Sequence, residues 1–473
     1  MSATTDPQGS RASFFPGAPD GVLARLDREA DASVKRLKDL LRIPSISTDP
    51  AYAEHCQQAA QWLKGDLESL GFEARIVPSD GHPFVLAHHD AAGAEAPHVL
   101  FYGHYDVQPV DPLDEWDHDP FDPRVEGEGR DARIRARGAA DDKGQLMTFV
   151  EACRAHIAET GTLPCRVTIL FEGEEESGSP SLPAFLKEHG EELRADVALV
   201  CDTGMWDSDT PAISASLRGL VGEEVTVHAA DRDLHSGHFG GAAANPIHVL
   251  AAMLASLHDE TGRVTLPGFY DGVADLSEET RAEWASLGGS LLQEVGLSEP
   301  AGERGYSALE LTWARPTLEI NGIHGGYTGK GFKTVIPAKA SAKVSFRLVG
   351  DQNPDALRAA FREHCRASVP SDCRVEFHEH GGGRALTIPQ DSEHLRRAKA
   401  AVSAEWPNDA VAIGMGGSIP IVGDFKRALG MDSLLIGFGL ESDRIHSPNE
   451  KYDLRSFLKG QRSWARVLSA LAV

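Results

Sequence analysis

The sequence predicts an α/β protein in which a helix-flanked mixed sheet is interrupted by an inserted α+β domain. Short runs of β-forming residues alternate with segments long enough for helices, which is typical of a sheet packed between helices. The pattern changes after Leu217, and a last β-rich run that ends at Gly439 returns the chain to the first pattern. At 473 residues, the chain exceeds the length that one hydrophobic core usually serves.

Helices are expected near the start of the chain. Leucines between Leu23 and Leu41 recur with a roughly helical period, and the pattern stops at Ile43, because the following proline disfavours helical backbone. A second helix is expected from Tyr52 to Leu70. Neither helix carries residues that suggest chemistry.

Strands follow as four apolar runs. They are HVLFYG ending at Gly103, RVTILFE ending at Glu172, DVALVCD ending at Asp202 and SLLIGFG ending at Gly439. The inserted domain is predicted from strand-like EEVTVHA, helix-like NPIHVLAAMLASLHD, and strand-like PTLEINGI and KASAKVSFRLV. We therefore expect a main domain from residues 1–217 and 385–473, and a lid or association domain from residues 218–384.

Composition excludes several classes of protein. A net charge of -25 argues against nucleic acid as a partner, because its phosphates would be repelled. We see no apolar run long enough to span a membrane and no secretory signal, so a cytoplasmic protein is expected. The six cysteines lie singly along the chain, which predicts reduced thiols: Cys56, Cys153, Cys165, Cys201, Cys365 and Cys373.

Polar residues that could bind metals follow the predicted strands, where ligand sites of α/β sheets form. His104 and Asp106 lie two residues apart after the first strand, so one can bind a cation while the other orients it. Asp141 and Asp142 are adjacent in a glycine-bounded turn, and a cation beside them would relieve their repulsion. Taken alone, each pattern is also typical of a structural strand end or a solvated turn.

Three further positions complete the candidate set. The run EGEEESGS ends a strand with a cluster of carboxylates, from which one can bind a metal while its neighbour takes a proton from water. Asp202 and His446 follow two other strands, although each alone is also typical of a cap or a solvated loop. Two imidazoles and several carboxylates from separate strand ends suggest a site for two cations.

Eight motifs carry a resemblance to a known family. They are HYDVQP, RGAADDKGQ, EGEEESGS, VCDTGMW, DLHSGHFGG, KTVIP, GGSIP and IHSPNEKY. In this order they resemble the zinc aminoacylase, dipeptidase and carboxypeptidase family, and most of all its carnosine and Cys-Gly dipeptidase branch. The resemblance implies that the main domain is catalytic and that the insertion is a lid and dimerisation domain.

The resemblance also implies roles for individual residues. It makes Asp141 the bridge between two divalent metal ions, zinc or alternatively manganese, and Glu175 the general base. It assigns Glu176 and His446 to one ion, and His104 and Asp202 to the other. Independently of the resemblance, Asp106 lies where its carboxylate can accept the second ring N–H of His104 and orient that ligand. The resemblance further implies a cis peptide bond between Asp141 and Asp142. The expected reaction is hydrolysis of the amide bond of dipeptides, or of short peptides with a free C-terminal carboxylate, by a metal-activated water.

Residues of the insertion are implied to bind substrate. His235 matches a residue that reaches the active site of the partner subunit in a homodimer, and Thr334 and Arg347 match substrate-binding positions. Gly417 and Ser418 can offer backbone N–H groups to a carboxylate.

One departure affects specificity. Gly414 and Met415 stand where the dipeptidase branch usually has Arg-Glu. The same metals and base could instead remove the acyl group of N-acyl amino acids, and a metal-binding scaffold without activity is a further alternative.

Overall fold

The structure is a computed structural model, and its description covers four ranges of the chain: residues 18–287, 291–389, 392–415 and 420–473. The described residues form two units. The first unit comprises the chain up to Ala215, Ile388–Ala412 and Asp424–Val473, and the second comprises Ser216–Thr387 and Ile413–Gly423. Each unit has its own hydrophobic core.

The first part of the chain contains three helices and a run of strands. The elements up to Leu217 are α1 (Asp20–Arg28), α2 (Ala30–Leu41), α3 (Ala53–Ser69), β1 (Glu73–Val77), β2 (Phe84–His89), β3 (His98–His104), β4 (Arg124–Glu126), β5 (Arg133–Arg135), α4 (Lys143–Thr160), β6 (Arg166–Glu172), α5 (Leu182–Leu193), β7 (Val197–Val200) and β8 (Ala212–Leu217). Short 3-10 helices lie at Pro50–Tyr52, Leu113–Glu115, Gly129–Asp131 and Glu175–Ser177.

The middle part alternates strands with helices. Its elements are β9 (Gly219–His228), β10 (Leu234–His235), α6 (Ser236–Phe239), α7 (Pro246–Ala255), α8 (Glu278–Ser286), α9 (Leu291–Glu294), α10 (Ala308–Trp313), β11 (Thr317–Gly325), β12 (Val335–Ile336), β13 (Lys339–Leu348), α11 (Pro354–Ala367) and β14 (Arg374–Gly383).

The last part ends in a long helix. Its elements are β15 (Leu386–Thr387), α12 (Glu393–Ser403), β16 (Val411–Met415), α13 (Pro420–Asp424), a π-helical turn at Phe425–Leu429, β17 (Ser433–Leu435), a 3-10 helix at Glu441–Asp443, β18 (Lys451–Asp453) and α14 (Leu454–Leu471).

The leucine pattern near the N-terminus belongs to two helices rather than one. The chain leaves helical geometry at Glu29, where φ is -99° and ψ is 12°. Leu26 of α1 and Leu37 of α2 are both buried in the core. The residues between Leu26 and Ser33 are exposed or half-buried, so the apolar period that predicts the buried face carries no information about this break. The predicted helix from Tyr52 to Leu70 is confirmed as α3.

The sheet of the first unit has the strand order β1-β2-β6-β3-β7-β17-β8. β3 runs parallel to both β6 and β7, and β7 runs parallel to β17, whereas β1, β2 and β8 pair in the antiparallel sense. The predicted mixed sheet is therefore confirmed, including the return of the last strand. Because parallel strands end at the same edge, the segments after β3, β6 and β7 meet there.

The core beside this sheet is closed by α4 and α14, which contact each other. Phe101 of β3 stacks on Phe149 of α4 with ring centroids 3.8 Å apart, and Trp464 of α14 contacts both rings edge-on. α4 is buried along most of its length, so the residues that precede it are held firmly against the sheet.

The second unit has a four-stranded antiparallel sheet in the order β11-β13-β9-β14. One face is apolar: Val221 and Val225 of β9 and Phe346 of β13 pack in a core with Leu250 of α7 and Phe361 of α11. Residues of β9 alternate between buried and half-buried, as a sheet with one covered face requires. The other face carries polar side chains.

No helix in the described ranges is long and apolar enough to cross a membrane. All six cysteines are buried free thiols. Their burial makes them packing residues.

Candidate metal centre

The candidate site lies at the carboxyl ends of β3 and β6. His104 is the last residue of β3 and pairs in register with Glu172, the last residue of β6. Asp202 follows β7, which is the neighbour of β3 on its other side. The parallel arrangement of these strands thus brings residues that are far apart in the sequence to one edge of the sheet.

Asp141 lies between two histidines. Its Oδ1 is 3.0 Å from Nε2 of His104, and its Oδ2 is 2.9 Å from Nε2 of His446. Nε2 of His446 is also 3.3 Å from Oε2 of Glu176. Donor atoms of His104, Asp141 and Asp202 lie within 4.8 Å of one another, and so do those of Asp141, Glu176 and His446. Asp141 is therefore common to two potential metal sites.

Asp106 organises the residues around these donors. Its Oδ1 accepts the backbone N–H of Glu175 at 3.3 Å, and its Oδ2 accepts that of Glu176 at 3.0 Å. Nδ1 of His104 lies 3.1 Å from the backbone oxygen of Asp106 and 3.4 Å from its Oδ1. A proton on Nδ1 leaves Nε2 with a lone pair directed towards Asp141.

The acidic run after β6 divides into buried and site-facing carboxylates. Glu172 accepts a hydrogen bond from the Tyr102 hydroxyl at 2.7 Å. Glu174 accepts backbone N–H groups from His82 at 3.0 Å and Ser181 at 3.2 Å. Both carboxylate oxygens of Glu174 are therefore engaged by the backbone, and one oxygen of Glu172 is engaged by Tyr102. Glu175 and Glu176 are the glutamates of this run that face the site. The acidic run by itself could not show which of its carboxylates would do so.

The turn that carries Asp141 is held by Glu450, a fully buried residue. Its carboxylate accepts the backbone N–H groups of Gly138 at 3.0 Å, Ala140 at 2.9 Å and Asp141 at 3.1 Å. It also accepts a hydrogen bond from Nη1 of Arg137 at 2.7 Å. The peptide bond between Asp141 and Asp142 is cis, as the resemblance implies.

The loop that carries His446 has an unusual backbone. Arg444, His446 and Asn449 have φ of 59°, 61° and 63°, a left-handed conformation that non-glycine residues seldom adopt. The Asn449 side chain anchors the loop, accepting the N–H of Asp117 and donating to the oxygen of Glu115, both at 2.9 Å. The imidazole of His446 is thus directed at Asp141 by a loop fixed elsewhere.

The charges at the site shift one another's protonation. Burial alone would lower the pKa of His104, but its hydrogen bonds to Asp106 and Asp141 raise it well above the usual value. Hydrogen bonds to Asp141 and Glu176 raise the pKa of His446 to about 10. Burial tends to raise the pKa of Asp141, but its hydrogen bonds to the two histidines outweigh burial, so that the pKa lies below its usual value. Protons and cations therefore compete for the same nitrogen atoms.

Two neighbouring carboxyl groups shift in the opposite direction. Burial, followed by the charge of Asp141, raises the pKa of Asp202 to about 7. Burial also raises the pKa of Glu175, with the nearby carboxylate of Glu176 adding to the shift and His104 opposing it. A carboxyl group with a raised pKa is suited to exchange protons near neutral pH.

These donors fit divalent cations. Oε1 of Glu176 is buried, and it has no hydrogen-bond partner among the residues that the structure describes. A buried carboxylate oxygen without a donor is costly unless a positive charge lies beside it. Imidazole nitrogen and carboxylate oxygen are ligands that both zinc and manganese accept.

The remaining predicted site residues lie in the second unit or outside the described ranges. His235 is exposed, and its Nδ1 accepts the N–H of Gly237 at 2.9 Å. Thr334 lies beside it, because the N–H of Ser236 donates to the Thr334 oxygen at 3.1 Å. Arg347 is half-buried in β13. Gly417 and Ser418 fall in a range that the structure does not describe.

The departure at Gly414 and Met415 has a structural counterpart. A Cβ atom on Gly414 would lie 2.4 Å from Cβ of Trp313 and 3.0 Å from Oγ of Ser216. Trp313 therefore occupies the space that a side chain at position 414 would need. Within the second unit, an arginine at this position is incompatible with the present packing.

Sequence reasoning did not single out Glu450 or Gln108. Gln108 donates from Nε2 to Oε2 of Glu176 at 2.6 Å, so it orients that carboxylate. Both residues stand within motifs that carry the resemblance, HYDVQP and IHSPNEKY. Their positions inside these motifs were the available signal. Their partners are 68 and about 310 residues away, so spacing along the chain could not reveal them.

Several known proteins are similar to this chain over nearly its whole length. The chain is 31% identical over 472 residues to the Cys-Gly metallodipeptidase dug1 of Schizosaccharomyces pombe, covering 96% of this chain and 98% of that protein. It is 29% identical to the human Beta-Ala-His dipeptidase, covering 97% of this chain and 93% of that protein.

A solved structure and a family model extend the comparison. The M20 family metallo-carboxypeptidase Sso-CP2 from Sulfolobus solfataricus matches with a TM-score of 0.73 and 30% identity, covering 93% of this chain and 99% of that one. The model of peptidase family M20/M25/M40 matches residues 100–470. The extent of this match, together with the relatives above, shows that the chain belongs to peptidase family M20/M25/M40.

Proposed function

We propose that this chain is a two-metal dipeptidase, which hydrolyses the amide bond of dipeptides or of short peptides with a free C-terminal carboxylate. The observation that carries the proposal is the position of Asp141, whose two oxygens face His104 and His446 at 3.0 and 2.9 Å. The two relatives are named as dipeptidases, and the chain matches each of them over nearly its whole length. This similarity supports the choice of substrate class.

In this proposal Asp141 would contribute a ligand to each of two cations. Glu176 and His446 would hold one cation, and His104 and Asp202 would hold the other. When bound, divalent cations at these positions would increase the acidity of a water molecule and polarise the carbonyl group of the scissile amide. Zinc is the proposed metal, and manganese is the alternative that the same ligands accept.

Glu175 is the proposed general base. Its backbone is held by Asp106, and its carboxylate has no hydrogen-bond partner in the described part of the chain, in contrast to that of Glu174. Because its pKa is raised, this carboxylate can take the proton of the attacking water and then return it to the leaving amine. The developing charge on the carbonyl oxygen would be stabilised by His235.

Substitution of Glu175 tests this role. We expect Glu175→Gln to lower kcat by about 100-fold to 10,000-fold, because proton transfer by a positioned side chain contributes that much. Its metal content should stay the same, since Glu175 is not a proposed ligand. The exposed Glu188→Gln variant is the control and should keep full activity. A fully active Glu175→Gln enzyme would remove Glu175 from the mechanism.

A substrate panel tests the reaction itself. The purified protein, loaded with zinc or with manganese, would be assayed against dipeptides and against acetyl-amino and succinyl-amino acids. Hydrolysis of dipeptides supports the proposal, whereas exclusive turnover of the acyl compounds would make the chain a deacylase. A protein that binds both metals and cleaves nothing would be a scaffold.

The proposed substrate-binding residues are Thr334, Arg347, Gly417 and Ser418, and the proposed assembly is a homodimer in which His235 serves the partner's active site. The resemblance supports these assignments. If they hold, His235→Ala and Glu175→Gln are each inactive alone, but their mixed dimer contains one intact site. Co-expression should then restore about a quarter of wild-type activity. Recovery of none would contradict the exchange of His235 between subunits.

A further inference from the structure

The second unit contains a cavity of about 830 Å³ on the polar face of its sheet. Two of its lining residues are arginines, Arg218 and Arg347. Polar uncharged side chains line it near them: Thr317, Asn321 and Ser345. An open cavity with two cationic forks and neutral hydrogen-bonding groups is suited to an anionic ligand.

The two arginines are neighbours on the sheet. Arg347 of β13 pairs in register with Leu220 of β9. Arg218 comes two residues before Leu220, and the two are half-buried, unlike the fully buried residues Gly219 and Val221. Arg218 immediately precedes β9 and lines the same cavity as Arg347, close enough for the charge of Arg347 to act on it.

Neither guanidinium group forms an ion pair within the described residues, and Nε of Arg218 is buried without a hydrogen-bond partner. By contrast, two buried arginines of this unit are paired: Arg315 donates to Glu303 at 2.8 Å, and Arg358 donates to Glu223 at 3.0 Å. Burial, followed by the positive charge of Arg347, lowers the pKa of Arg218 to about 10. The two positive charges thus repel each other, and the charge of Glu319 opposes this shift without forming an ion pair with Arg218.

The carboxylates that line the cavity do not pair with these two arginines. Glu303 is occupied by Arg263 and Arg315. Asp259 accepts backbone N–H groups from Thr261 and Arg263. Glu260 and Glu319 are exposed, and Glu319 acts on Arg218 only through its charge at a distance.

We propose that Arg218 and Arg347 together bind a pair of carboxylates, so that the preferred substrates of this chain end in glutamate or aspartate. This inference rests on the proposed function, in which Arg347 binds substrate. Arg347 is suited to hold the terminal carboxylate through two hydrogen bonds, and what is new is that Arg218 binds the side-chain carboxylate. Each guanidinium can bind one carboxylate through two parallel hydrogen bonds. A ligand with two carboxylates neutralises both charges, whereas a single carboxylate leaves one unpaired.

Binding of glutarate and of its monoamide, glutaramate, to the metal-loaded protein tests the site directly. The two compounds share one carboxylate and differ only in the second, so contributions common to both cancel. We expect glutarate to bind at least about tenfold more tightly in isothermal titration calorimetry, as a charge-assisted hydrogen bond requires. Equal affinities in the wild-type protein would overturn the proposal without any variant.

Variants then locate the second carboxylate. Arg218→Met should abolish the preference for glutarate, and Lys343→Met, on the same strand and face as Arg347 but outside the cavity, should retain it. A preference that survives in Arg218→Met would overturn the assignment.

Kinetics connect the site to turnover. We expect kcat/KM for Ala-Glu to exceed that for Ala-Gln by about tenfold or more, and Arg218→Met to lower only the former. Equal losses for both peptides would contradict the inference. If no dipeptide is hydrolysed, the proposed function fails, while the glutarate comparison still decides whether Arg218 binds a second carboxylate.

Discussion

Replacing Asp106 by asparagine perturbs the metal centre without removing a proposed ligand. The Asp106 carboxylate accepts the N–H groups of Glu175 and Glu176, one on each oxygen. Asparagine keeps the shape of the side chain but has a single acceptor oxygen, so its amide group must face one of these two N–H groups. His104 keeps the backbone oxygen of residue 106 as a partner at 3.1 Å.

The size of the effect follows from these contacts. The variant loses one hydrogen bond to a charged acceptor and places two donors against each other, which costs about 1.5–3 kcal/mol. Because both glutamates belong to the candidate site, this cost should appear as weaker metal binding or slower turnover. The expected loss is about tenfold to a hundredfold in either quantity.

Competition with a zinc chelator measures metal affinity, and steady-state kinetics measure turnover of the loaded enzyme. Asp49→Asn is a matched control, because Asp49 also accepts a backbone N–H, that of Ala51 at 2.9 Å, but on an exposed 3-10 helix. An Asp106→Asn enzyme within twofold of the wild type in both measurements would refute this account of Asp106.

Two other predictions concern packing and protonation. Gly414→Ala should lower the free energy of unfolding, measured by denaturant titration, by about 1–3 kcal/mol, because the new Cβ would meet Trp313. The control is Gly381→Ala, whose Cβ would have no atom within 4 Å, and its free energy of unfolding should stay within about 0.5 kcal/mol of the wild type. Equal effects of the two variants would argue against the contact with Trp313. Zinc affinity should fall as the pH is lowered from about 10, since protons then occupy His446, whose pKa is raised to about 10. An affinity independent of pH between 6 and 9, determined by chelator competition, would contradict this competition.

Much of the fold was predictable because its signals are local. Apolar runs such as 98–103 and 166–172 became strands of one mixed sheet, as expected. The break between α1 and α2 at Glu29 was not predictable, because residues 27–32 are exposed or half-buried and cannot mark a change in the apolar period. The cis peptide bond at Asp141 was confirmed, but the resemblance to a family implied it, whereas periodicity did not.

The sequence by itself determined the kinds of residue at the site and their positions at strand ends. Parallel strands end at a common edge of the sheet, so the pairing of β3 with β7 necessarily places His104 and Asp202 close together. The resemblance implied roles for Glu175 and Glu176, but only the tertiary structure shows which carboxylates of the run are engaged by other groups. Within one acidic run, the carboxylate of Glu174 accepts backbone N–H groups whereas that of Glu175 does not. The sequence does not reveal this difference, because one of the donors is distant along the chain.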